Sequence, residues 1–164
     1  MTENVSFSIP KYDPNLIAEY RKEFDRVDVD KNQYLDKKEF IDYLVQQGQS
    51  TKMAKITYKI VDMNHDHQIS FDEFADYIHA ACEIVTNNDV NAYLRLVFRA
   101  SDKKKDNHLD KKGFKKFMKF MDIPVGFFDA NKKFKKFDTD KSGTIEFDEI
   151  TRMYHFEMEK DGGK

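Results

Sequence analysis

Leu16, Tyr20, Phe24 and Val27 recur at the three- and four-residue spacing of one helix face. Asp13 followed by Pro14 supplies the matching start, an N-cap with proline at the first helical position. A second segment runs from Thr51 with Met53, Ile56, Ile60 and Val61 apolar, and Gly48 offers the helix stop before it. The pattern also repeats on a larger scale. An aromatic stands at Phe24, Tyr58, Phe98 and Phe134, each four residues before a polar stretch of twelve, and a large apolar residue follows each stretch at Phe40, Phe74, Phe114 and Ile150. These offsets put one apolar side chain on the last turn of an incoming helix and one on the first turn of an outgoing helix, four times over. Those side chains are the predicted core. Asn88 and Asp89 offer a new start after Ile84 and Val85, and Ile123, Pro124 and Gly126 a further break. No Gly/Ser/Pro-rich linker lies near residues 86–88, so a short or helical connection is expected there.

The polar stretches are themselves alike. They begin at Asp28 (DVDKNQYLDKKE), Asp62 (DMNHDHQISFDE), Asp102 (DKKKDNHLDKKG) and Asp138 (DTDKSGTIEFDE), at intervals of 34, 40 and 36 residues. Three of the four carry oxygen-bearing side chains at positions 1, 3, 5, 9 and 12 and an aliphatic residue at position 8. Calcium is a hard cation that takes about seven oxygens, and a twelve-residue loop wraps it when alternate side chains turn inward. Position 7 gives a backbone carbonyl, and position 12 gives two oxygens from one glutamate. The candidate ligands are therefore Asp28, Asp30, Asn32, Tyr34, Asp36 and Glu39 in the first loop, and Asp62, Asn64, Asp66, Gln68, Ser70 and Glu73 in the second. In the fourth they are Asp138, Asp140, Ser142, Thr144, Glu146 and Glu149.

With this spacing the chain resembles the EF-hand superfamily in its four-hand, calmodulin-like form, over about residues 14–158. The resemblance implies an all-α fold of four hands in two paired lobes, residues 1–86 and 87–164, each with a short antiparallel β bridge between its loops. The bridging residues would be Leu35 with Ile69 and Leu109 with Ile145. It further implies a calcium sensor or adaptor that binds an amphipathic helix of a target protein when calcium binds. Met53, Met63, Met118, Met121, Met153 and Met158 are its candidate groove walls. A cytosolic calcium buffer and a constitutive light-chain-like subunit are the alternatives.

Departures from the pattern carry the specific expectations. The third loop has Lys104 at position 3 and Gly113 at position 12, which removes about three of the seven oxygens. It is expected not to bind calcium, with the Lys104 ammonium either reaching Asp102 or Asp106 or pointing to solvent. Position 6 calls for a left-handed backbone, and only the fourth loop has glycine there, as Gly143, against Gln33 and His67. The strain of a non-glycine residue, about 1–2 kcal/mol, predicts roughly tenfold weaker binding in loops one and two. With ligand charge included, the expected order of affinity is loop four, then one, then two, with Mg²⁺ competing at the more acidic first and fourth loops.

Composition limits the alternatives. His65 and His67 flank Asp66, but position 6 points away from the cation and no cysteine accompanies them, so a zinc site is not expected. No GxxxxGK[ST] or HExxH motif is present, so neither an enzyme nor a small-molecule substrate is expected. Cys82 is the lone cysteine, which excludes an internal disulfide. No run of 18 apolar residues occurs, the start MTENVS lacks a myristoylation glycine and the end DGGK lacks a prenylation cysteine. The expectation is a soluble cytoplasmic protein. Formal charge is −6 over residues 1–86 and +4 over 87–164. Lys115, Lys116 and Lys119 share a helical face opposite Phe114, Phe117, Met118 and Met121, which reads as a solvated surface or as a site for anionic lipid or nucleic acid.

Overall fold

The computed structural model describes residues 12–123 and 127–161. Eight helices follow one another: α1 (Pro14–Val27), α2 (Lys37–Gln46), α3 (Thr51–Val61), α4 (Phe71–Asn87), α5 (Asn91–Ser101), α6 (Lys111–Phe120), α7 (Phe127–Phe137) and α8 (Phe147–Asp161). The only extended pairings among the described residues are two isolated antiparallel bridges, Leu35 with Ile69 and Leu109 with Ile145, as expected. Each bridge exchanges two N–H···O=C bonds of 2.8–2.9 Å and so ties the two loops of one pair back to back. Pro124 and Gly126 lie outside the described residues, as does the side chain of Met158.

Local chemistry starts and stops these helices where the sequence indicates. Asp13 caps α1 by accepting from the Asn15 N–H, with Pro14 at the first turn. Gly48 lies beyond the end of α2 with φ +92°, and Asn88 takes a left-handed conformation beyond α4 with φ +52°. The starts of α2 and α4 are capping boxes, Asp36 with Glu39 and Ser70 with Glu73, so positions 9 and 12 of each loop are also the N-cap and third residue of the outgoing helix.

The expected core is the observed one. Phe24, Tyr58, Phe98 and Phe134, with Phe40, Phe74, Phe114 and Ile150, are all buried. The rings meet edge to face, Phe24 with Phe74 at 5.5 Å and Phe114 with Phe134 at 5.6 Å between centroids, the arrangement that ring quadrupoles favour. The apolar cluster does not stop at the pair boundary. Helices α3 and α4 pack on α5, and α3 also on α6, so that Leu94, Leu96 and Val97 continue the core of the first pair into the second. Polar groups reinforce that junction: Asp76 accepts from the Tyr12 hydroxyl at 2.8 Å and pairs with Arg99 at 3.3 Å. Gln49 donates to Tyr77, whose phenol burial pushes up to about 12.

One surface expectation changes. Lys115 and Lys119 are exposed, but Lys116 is half-buried and donates to the Ala100 carbonyl at 2.6 Å, so it is not part of a solvated lysine face. Among the described residues no helix is long and apolar enough to cross a membrane.

Candidate metal centre

In the first, second and fourth loops one glutamate closes the ring. Glu39 accepts from the Val29 N–H with one oxygen and from the Asp36 N–H with the other, both at 2.9 Å. Glu73 does the same with Met63 and Ser70 at 3.0 Å, and Glu149 with Thr139 at 2.8 Å and Glu146 at 3.1 Å. Position 12 thus ties position 2 to position 9 and fixes where the carboxylate faces. Hydroxyls add donors in two loops: Ser70 Oγ on Glu73 and Thr139 Oγ1 on Glu149.

Position 1 organises the other half of the first and fourth loops. Asp28, 3% exposed, accepts from the Asn32 and Gln33 N–H groups, and Asp138 accepts from the Gly143 N–H. At position 3, Asp30 accepts from the Asn32 N–H and Asp140 from the Ser142 N–H, and the latter bond holds the Asp140 carboxyl below the usual carboxylate range.

The result is two tight acidic clusters. Oxygens of Asp28, Asp30 and Glu39 lie within 4.8 Å of one another, and so do those of Asp138, Asp140 and Glu149. Three carboxylates that close repel, and a divalent cation is what relieves the repulsion. The second loop, with Asn64 at position 3, forms no such triad among the described residues. Buried oxygens support a cation in loops two and four: Asp62 Oδ1 and Asp138 Oδ1 have no hydrogen-bond partner. The residues present therefore fit a divalent cation with oxygen ligands in these loops.

Left-handed backbone is needed twice per loop. Position 6 was expected to show it and does, with φ +72° at Gln33, +68° at His67, +63° at Asn107 and +84° at Gly143. Position 4 shows it as well, at Lys31, His65, Lys105 and Lys141. The three lysines at position 4 give no signal of this, and only His65 is of a type enriched at positive φ. His67 is exposed with Nδ1 3.8 Å from Asp62 Oδ2, and no cluster with His65 forms among the described residues.

The third loop keeps the frame and loses the cage. Asp102 accepts from the Lys105 and Asn107 N–H groups, the latter at position 6 as in Asp28 and Asp138. Of the two expectations for Lys104, a partner at Asp102 or Asp106 and a solvent-facing ammonium, neither is observed: it pairs with Asp110 across the loop at 3.3 Å. Asp110 is drawn there because it caps α6, accepting from the Gly113 and Lys112 N–H groups, and these bonds with the ammonium hold its carboxyl low. His108 at position 7 bridges to the fourth loop, with Nε2 3.4 Å from Glu146 Oε1. A hydrogen bond with the Asp106 carbonyl, more than the nearby carboxylates, raises its pKa. Position 7 was expected to matter only for its carbonyl, so sequence reasoning missed this pairing.

Comparison with known proteins gives the same outline. Residues 18–79 match the family model for an EF-hand domain pair, and residues 131–154 match the model for a single EF hand. The chain is 24% identical over 159 residues to troponin C isoform 2 of Caenorhabditis elegans, covering 93% of this chain and 98% of that protein. It is 24% identical over 151 residues to troponin C of Tyrophagus putrescentiae, covering 89% and 97%. A 16 kDa calcium-binding protein of Schistosoma mansoni is 27% identical over 127 residues, covering 77% and 87%.

Proposed function

The chain belongs to the EF-hand superfamily in its calmodulin-like form and binds calcium, and on that premise we propose that it is a calcium sensor with three competent loops. The observation that carries the proposal is the shared placement of Glu39, Glu73 and Glu149, each fastened at once to position 2 of its loop and to the cap of its outgoing helix. Bound calcium would supply a point of positive charge inside each loop. Asp28, Asp30, Asn32, Asp36 and Glu39 hold it in loop one, Asp62, Asn64, Asp66, Ser70 and Glu73 in loop two, and Asp138, Asp140, Ser142, Glu146 and Glu149 in loop four. The carbonyls of Tyr34, Gln68 and Thr144 complete the three sets. A shift of any of these glutamates moves the first turn of α2, α4 or α8, the lever by which a hand opens onto a partner helix.

The troponin C relatives support a regulatory role with a protein target rather than an enzymatic one. Residues 1–86 and 87–164 act as the two paired units, the protein works in the cytoplasm, and Mg²⁺ competes at the acidic first and fourth loops. A buffer is the second reading, favoured by the packing of α3 and α4 on α5, which covers helix faces that an opening lobe needs free. Calcium calorimetry on the full chain, paired with binding of an apolar dye, tests both. Three ions with a rise in dye binding is expected of the sensor; three ions with no rise identifies the buffer; fewer than three overturns the ligand assignment.

A further inference from the structure

A cavity of about 170 Å³ lies beside Gly113 in the third hand, bordered by Ser101, Lys103, Lys104, Lys112, Lys116 and Asp110. In the other three loops the N–H groups of positions 2 and 9 share one glutamate carboxylate. Here the same two donors are the N–H groups of Lys103 and Asp110, and neither bonds to another described residue. The two aspartates at the cavity, by contrast, are already engaged, Asp102 by two backbone N–H groups and Asp110 by two more and the Lys104 ammonium. That leaves cations in excess. Lys103 and Lys112 form no ion pair among the described residues, and half-buried Lys116 meets the Ala100 carbonyl and the Phe120 ring, 5.2 Å from its centroid, but no carboxylate. Burial, with Lys103 nearby, lowers the Lys116 pKa, the sign of an ammonium short of negative charge.

We propose that this cavity is a carboxylate-binding site. A carboxylate from solution accepts from the Lys103 and Asp110 N–H groups, as a glutamate does in the sister loops, and the Lys112 and Lys116 ammonium groups neutralise it. The donor pair argues for carboxylate rather than phosphate, because three times in this chain the same pair is matched by one carboxylate. The third hand thereby exchanges a cation for an anion.

The test is an amide-resolved NMR titration of the full chain at saturating calcium, with sodium acetate against sodium chloride at equal ionic strength. Saturable shifts at the Lys103 and Asp110 amides with acetate, absent with chloride, are expected, and Lys116→Gln should weaken the response at least threefold. Gly113→Glu supplies its own carboxylate and should abolish it. Its Cβ would come within 3.1 Å of the Ser101 carbonyl, so Lys116→Gln decides the matter if that variant does not fold. A pentaglutamate peptide separates the sources. Saturation of the same amides at lower concentration than acetate marks an acidic segment of a partner, and at equal or higher concentration a small free carboxylate. Equal shifts in chloride, or inorganic phosphate binding more tightly than acetate, would overturn the proposal.

Discussion

Glu149→Gln separates ligation from folding more sharply than any other single change. Glu149 is 3% exposed, and its two oxygens take three donors, the Thr139 N–H and hydroxyl and the Glu146 N–H. Glutamine has the same shape but one oxygen, so one charge-assisted bond worth about 1.5–3 kcal/mol is lost. The change also removes repulsion from Asp138 and Asp140, whose oxygens lie within 4.8 Å. At an effective dielectric constant of about 20 that relief is about 3 kcal/mol per pair at this distance, before solvent screening. Asp140 is exposed and its share is screened by water, so the relief from Asp138 opposes the lost bond, and stability in chelator should change by less than about 2 kcal/mol.

Calcium binding has no such offset. A carboxylate about 2.5 Å from a dication gains roughly 13 kcal/mol at the same dielectric constant, most of it cancelled by desolvation. If one fifth survives, the loss is a hundredfold in affinity. Calorimetry should therefore find the tightest site gone, and thermal unfolding should show most of the calcium-induced stabilisation lost, about 2.7 kcal/mol at a hundredfold excess over the dissociation constant. Unchanged tight binding would refute the assignment of Glu149 as a ligand. A variant unfolded in chelator would refute the compensation.

Asp76→Ala takes an acceptor from Tyr12 and Arg99 at the junction of the two pairs and should destabilise by about 1–3 kcal/mol. A melting temperature lowered by about 2–4 °C per kcal/mol checks it. Gly143→Ala places a Cβ where nothing lies within 4 Å, so its cost is the backbone alone at φ +84°, about 1–2 kcal/mol by denaturant titration. The neutral phenol of Tyr77 is favoured in the fold, so the stability it contributes is intact below about pH 10 and is lost as pH rises towards about 12. Tyr77→Phe should flatten that part of the alkaline unfolding profile.

What the sequence disclosed was what depends on near neighbours. The aromatics before each loop, the bridge residues Leu35, Ile69, Leu109 and Ile145, and the strained position 6 follow from fixed offsets within a hand, and the structure has them all. The misses share another cause. Neither expectation for Lys104, Asp102 or Asp106 on one side and solvent on the other, named Asp110, because that partner is decided by the cap of α6. Lys116 turned inward because Ala100, on the neighbouring helix, offers a carbonyl that a helical wheel does not display. The continuity of the core across α3, α4 and α5 likewise depends on how two units dock, for which no periodicity within one helix is a guide.

The double duty of position 12 explains how one hand can lose its glutamate and keep its fold. In α2 and α4 the glutamate is both a candidate ligand and a member of the capping box that starts the helix. In α6 the start is secured by Asp110 alone, through the Lys112 and Gly113 N–H groups, so the helix needs neither glutamate nor metal. Leu109 then holds Ile145 by the same paired bonds that join Leu35 and Ile69. Loop four thus pairs with a loop whose helix cap holds no glutamate, whereas loops one and two each pair with a loop that carries a full candidate ligand set. Binding at loop four should be non-cooperative, measured in the Glu39→Gln, Glu73→Gln double variant, and the two sites left in Glu149→Gln should bind cooperatively. Cooperative uptake at loop four in the double variant would show that the third hand still answers to the metal, and the argument from its cap would fail.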